Sequence, residues 1–120
     1  DMPDQAPGVA LDAGAIADDP TRLAGNVVVI GHGYSEFSYL AHLQAGSITV
    51  AEGQMVKRGQ QVAAVGNSGH SPGPHLHYHF QEGPSLFVDR GVPVQFYNFK
   101  AVGDLVERAT IPSRMIVSPA

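Results

Sequence analysis

Three histidines, His75, His77 and His79, fall at alternate positions in the tract His75-Leu76-His77-Tyr78-His79-Phe80. Read with a period of two, the tract is a strand with two faces. Leu76, Tyr78 and Phe80 point one way and form a core face, and the histidines point the other way. Imidazoles at i and i+2 are about 6–7 Å apart at the backbone. Both can then reach one metal ion, or one can hold a metal while its neighbour handles a proton. A single histidine on a strand is ordinarily a surface residue or a hydrogen-bonded one. Three on one face repeat the same chemistry, which points to a functional site with a metal as the first reading.

The elements around this tract have to position it. The approach Gly66-Asn67-Ser68-Gly69-His70-Ser71-Pro72-Gly73-Pro74 holds three glycines and two prolines, a tight loop with little bulk that leaves the histidine face open. Upstream, Asn26-Val27-Val28-Val29-Ile30 reads as a buried strand, because it is a continuous β-branched run. Gly31-His32-Gly33 is expected to turn the chain into a second strand, Glu36 to Leu43, making a hairpin. That strand would place Phe37, Tyr39, Ala41 and Leu43 on one face and Glu36, Ser38, Leu40 and His42 on the other. By itself His42 reads as a surface residue and His32 as a structural one.

Ile48, Val50, Val56, Val62, Ala64 and Val65 suggest short apolar strands around two tight turns, Glu52-Gly53-Gln54 and Lys57-Arg58-Gly59-Gln60. Lys57 reads as a solvated turn charge. Gln81-Glu82-Gly83-Pro84 is a further turn. Val92–Phe96 and Phe99–Val102 read as edge or closing elements, with Pro93 arguing against a central strand. Asp104–Ala109 is a short strand or turn. Residues 1–25 read as a loop or insertion with one helical turn near Ala13–Ala17, residues 26–110 as the domain, and residues 111–120 as a tail. Asp12, Asp18 and Asp19 read as solvated loop carboxylates rather than ligands.

Composition narrows the classes. A length of 120 residues suits one small domain, and 43% apolar content is ordinary for a globular chain. Gly 14 and Pro 9 favour short strands joined by turns. A net charge of −4 gives no reason to expect nucleic acid. With no cysteine, disulfides and thiolate metal sites are excluded, so any metal must use His and carboxylate. No run approaches a membrane span, and the N-terminus does not read as a signal peptide.

Together, Val28–Gly33, Tyr39-Leu40-Ala41-His42-Leu43, Val50–Gln60, Val65-Gly66-Asn67-Ser68-Gly69 and Gly73-Pro74-His75-Leu76-His77-Tyr78 resemble the LytM/lysostaphin-type zinc metallopeptidases. The resemblance covers about residues 26–80, in the family's order and at close to its spacing. Gly91-Val92-Pro93-Val94 and Phe96 are similar to that family's C-terminal end. The resemblance implies a small all-β domain of antiparallel sheets around a groove that holds one zinc ion. It implies that His77 ligates the zinc, and that His75 and His42 polarise the water and stabilise the oxyanion. It further implies a peptidoglycan peptide as substrate, cleaved at a stem peptide or cross-bridge, and a cell-envelope location, periplasmic or secreted.

The sequence departs from that family in one respect. The family's other two ligands come from an upstream H-x-x-x-D tract, and no histidine precedes His32 here. The expectation is therefore a catalytic domain that is N-terminally incomplete. The alternative is a catalytically degenerate binding or activator module of cell-wall hydrolases. A substitute metal site of His42, His75 and His77 would use up the groups that do the chemistry. His79 is a second departure, because the family often has an acidic residue there; it could support a neighbouring histidine. A biotinyl or lipoyl carrier is disfavoured, since the turn around Lys57 reads V-K-R-G and nothing in a carrier explains three histidines on one strand.

Overall fold

The structure, a computed structural model, describes residues 1–8, 13–86, 88–101, 104–111 and 117–119. Among the described residues, helix is confined to α1 (Ala13–Asp18) and a single 3-10 turn, Pro20–Ala24. Asp19 caps that turn, its carboxylate accepting from the Thr21 N–H at 3.1 Å. The rest is the expected small all-β domain, built from two three-stranded antiparallel sheets.

The first sheet contains β1 (Asn26–Gly33), β2 (Glu36–Leu43) and β3 (His77–Gln81), in the order β1-β2-β3. As the central strand, β2 carries the deepest residues: Ser38, Tyr39, Ala41, His42 and Leu43 are all buried. β1 is an edge strand, so only part of it is covered. Asn26 and Val28 are buried, while Val29 is 37% exposed. The expected burial of the whole run is corrected, because β-branched composition reports fit to a pleated surface and not depth.

The hairpin forms, with its turn at Tyr34-Ser35 instead of Gly31–Gly33. Tyr34 and Ser35 both take positive φ, 53° and 58°, the left-handed turn whose twist matches the flanking strands. Gly31-His32-Gly33 continues as strand with a register irregularity. Glycine suits position 31, where a Cβ would lie 3.2 Å from the Phe37 ring.

Between β2 and β3 the expected short strands are replaced by irregular backbone. It is tied to the end of β2 and the segment after it by scattered bonds, among them Gln44 N–H to Ala64 O at 3.0 Å and Thr49 N–H to Val62 O at 2.9 Å. Two reverse turns interrupt the segment before a ladder can propagate. Both use one device: Gly53 and Gly59 take φ of 77° and 79°. Gln54 Oε1 accepts from Ala51 N–H at 2.9 Å, and Gln60 Oε1 from Lys57 N–H at 3.0 Å. Lys57 is an exposed turn residue, as expected.

The second sheet contains β4 (Phe96–Ala101), β5 (Asp104–Ala109) and β6 (Val117–Pro119), in the order β5-β4-β6. Of the run Val92–Phe96, only Phe96 lies in a strand; Val92 N–H instead bonds Phe80 O at 2.8 Å, along β3. The Tyr78 and Phe96 rings meet edge-on at 5.3 Å and join the two sheets. Leu76, expected in the core, is 44% exposed, because it precedes the first paired residue of β3. Among the described residues no helix is long and apolar enough to cross a membrane.

Candidate functional site

The register of β2 against β3 builds the floor of the site. Ala41 faces His77 and Tyr39 faces His79 across the pair, so these four side chains share one face. The Tyr39 and His79 rings stack at 5.0 Å, only 5° from parallel. His77 meets His79 edge-on at 5.1 Å. His77 and His79 share this face as the alternation reads, while His75, expected on the same strand, precedes its first residue.

His42 departs from expectation in both face and depth. Strict alternation puts it beside Ser38 and Leu40, away from Ala41. Instead Ala41 and His42, adjacent in sequence, line the same cleft. The cause is a bulge. Asn26 pairs with Leu43 and Val28 with Leu40, so Ala41 and His42 together oppose Val27 alone. His42 takes φ of 58°, a left-handed conformation that costs about 1–2 kcal/mol for a residue with a Cβ. It is 7% exposed, so the surface reading is corrected as well. Its ring lies 4.8 Å from that of His75 and 5.7 Å from that of His77.

Ser68 holds His42 in place. The His42 Nδ1–H donates to Ser68 O at 2.9 Å. Ser68 is fully buried; its Oγ donates to Leu43 O at 2.6 Å and accepts from Asn26 N–H at 3.0 Å. This anchorage requires close backbone contact. A Cβ on Gly25 would stand 2.5 Å from Ser68, and one on Gly69 would stand 2.4 Å from Gly25 N. Two of the approach loop's glycines, Gly66 and Gly69, therefore serve close packing, while Gly73 has open space around it.

His75 is fixed from within its own loop. Its Nδ1–H donates to Gly73 O at 2.8 Å, beside the buried Ser71 hydroxyl, which donates to the same carbonyl. A carbonyl only accepts, so Nδ1 carries the proton on both His42 and His75, and Nε2 of each neutral ring keeps a lone pair. Burial is the main reason the His42 pKa lies below the ordinary histidine value. The bond to Ser68 opposes that shift, and His75 and His70 reinforce it. His77 is also lowered, first by burial and then by His79, His42 and His75.

The cleft encloses about 390 Å³, with Leu23, Ala24, Ala41 and Leu86 among its apolar walls. His70 lines it too, as does Gln81, and the motif reading had singled out neither. Gln81 continues the alternation of His77 and His79 along β3, and that was its signal. His32 bonds Ser38 Oγ at 2.7 Å, beside the Tyr78 hydroxyl, and is structural as expected. Asp18 and Asp19 are exposed, and Asp12 lies outside the described residues.

A zinc centre needs three protein ligands. Among the described residues, no three His, Cys, Asp or Glu side chains are gathered so as to hold one ion. His42 and His75 direct Nδ1 to backbone carbonyls, and His77 Nε2 lies 2.9 Å from His79 Nδ1. The described residues offer imidazole nitrogens but do not complete such a centre.

Peptidase family M23 matches residues 1–95. The peptidoglycan DD-endopeptidase ShyA of Vibrio cholerae is 44% identical over 71 residues, which are 59% of this chain and 14% of that protein. An uncharacterized metalloprotease of Haemophilus influenzae is 44% identical over 57 residues, 48% of this chain and 12% of its own length. The DD-carboxypeptidase/endopeptidase Mpg of Neisseria meningitidis is 46% identical over 54 residues, 45% of this chain and 12% of its own length. The chain thus spans well under a quarter of each of these relatives.

Proposed function

This chain belongs to peptidase family M23, and from that we propose that it is the histidine-bearing part of a zinc-dependent endopeptidase acting on peptidoglycan stem peptides or cross-bridges. The observation that carries the reading is the His42–His75 pair, with rings 4.8 Å apart and Nδ1 of each tied to a backbone carbonyl. Each ring meets its substrate as a neutral base through Nε2. In amide hydrolysis one of them takes a proton from the attacking water as the O–C bond forms. The resulting Nε2–H can then donate to the oxyanion, and the proton passes to the leaving amine as the C–N bond breaks. His77 is the proposed zinc ligand, with the remaining ligands supplied from outside the described residues. Such a substrate would place the protein in the cell envelope, periplasmic or secreted.

The test is digestion of purified sacculi by the protein at the length its gene encodes. It should release cross-link-cleaved muropeptides, stop on chelation and resume with zinc. Intact cross-links from a folded, zinc-loaded protein would sink the reading. A second reading is favoured by the incomplete donor set: a LytM-like module that binds or activates other cell-wall hydrolases. It would bind such a hydrolase and raise its rate while cleaving nothing by itself.

A further inference from the structure

His77 is bonded through a chain that runs along its own strand. Its Nε2 lies 2.9 Å from His79 Nδ1, and His79 Nε2 lies 2.6 Å from Gln81 Oε1. Gln81 Nε2 donates to Gly83 O at 2.9 Å and to Ser85 O at 3.1 Å. Gln81 is 2% exposed. The three side chains sit at i, i+2 and i+4 of β3, so the strand's alternation lines them up.

The direction of every bond follows from one end. The two carbonyls only accept, so the Gln81 amide must turn its NH2 toward them and its oxygen toward His79. That oxygen only accepts, so the proton of neutral His79 is on Nε2 and Nδ1 is bare. The bare Nδ1 only accepts, so the proton of neutral His77 is on Nε2. His77 Nδ1 is then left with the lone pair. This is the reverse of His42 and His75, whose protons are held on Nδ1.

We infer that Gln81 and His79 are positioning residues that set the proton of His77 on Nε2 and leave Nδ1 as its donor atom. The inference rests on hydrogen-bond direction and stands independently of the peptidase reading. Without an external constraint a neutral imidazole exchanges between its two tautomers. The relay removes that freedom and gives a metal or an acidic proton one fixed atom to meet.

The test is long-range 1H–15N NMR of the histidine rings of the metal-free chain at about pH 8, above the imidazole titration range. The wild type should show His77 and His79 each as a single Nε2–H tautomer, with His42 and His75 as Nδ1–H. Gln81→Met should move His77 toward a mixture of tautomers. His79→Phe keeps a ring against Tyr39 but removes the acceptor, and should do the same if Gln81→Met does not fold. Adding His79→Glu to Gln81→Met supplies an acceptor directly and should return His77 to a single Nε2–H tautomer. A wild-type His77 protonated on Nδ1 would overturn the inference, as would a single Nε2–H tautomer persisting in both Gln81→Met and His79→Phe.

Discussion

The Nδ1–H of His42 donates to the backbone carbonyl of Ser68, 26 residues away in sequence, at 2.9 Å. That bond decides which ring nitrogen of His42 carries the proton. The Ser68 hydroxyl is itself locked between Leu43 O and Asn26 N–H.

Ser68→Ala should therefore destabilise the chain by about 1–3 kcal/mol, the usual cost of stranding a buried hydrogen-bonding group. Here the stranded group is Asn26 N–H, since Leu43 O still accepts from the Asn26 side-chain amide at 3.1 Å. Urea unfolding at constant m-value measures it. A change below about 0.5 kcal/mol would mean that Ser68 does not anchor the β2 end.

The left-handed backbone of His42 separates folding from chemistry. His42→Asn should retain stability to within about 1 kcal/mol, because Asn tolerates this conformation. His42→Val removes the same ring, places a β-branched residue at φ of 58°, and should cost about 1–2 kcal/mol more. Both should abolish peptide hydrolysis by the protein. Equal stabilities for the two variants would remove strain as a factor.

The pH dependence of the metal-free chain has a definite sign. His42 and His77 titrate lower in the folded state than the ordinary histidine value of 6.5, chiefly because burial disfavours the charged ring. Between the folded and unfolded values the unfolded chain binds more protons, so stability rises with pH. The contribution is complete above about pH 6.5 and is lost as pH falls through the lowered folded values. Thermal unfolding with a chelator present should show this acid-side loss, and His42→Asn should flatten it. An unchanged profile in that variant would assign the loss to other groups.

Zinc stoichiometry of the 120-residue chain, purified without added metal, should fall well short of one per chain. Among the described residues no three His, Cys, Asp or Glu side chains are gathered to hold one ion, and such a centre needs three. A full equivalent of zinc that disappears in His77→Ala would show that the histidine face assembles a site unaided.

Much of the fold was legible from local pattern. The alternation of His77 and His79 and the hairpin of β1 with β2 follow from periods that need no tertiary knowledge, as do the paired glycine–glutamine turns at Gln54 and Gln60. The sheet position of a strand was not legible. Asn26–Ile30 has the composition of a buried strand, yet it lies at an edge because no further strand among the described residues pairs with its outer side. The turn at Tyr34-Ser35 was missed because glycines nearby gave a stronger local signal, while Gly31 was needed for its contact with Phe37.

The sequence by itself determined that His77 and His79 share one face of β3, because period two is a property of the extended backbone. Only the tertiary structure decided how His42 turns to the same cleft. Its left-handed φ reverses the alternation of β2, and its ring is held by Ser68, which is itself bonded by Asn26 and packed on Gly25, all distant in sequence. The proton order on the rings was decided in the same way. It is set by backbone carbonyls of Ser68, Gly73, Gly83 and Ser85, whose positions exist only once the chain has folded around them.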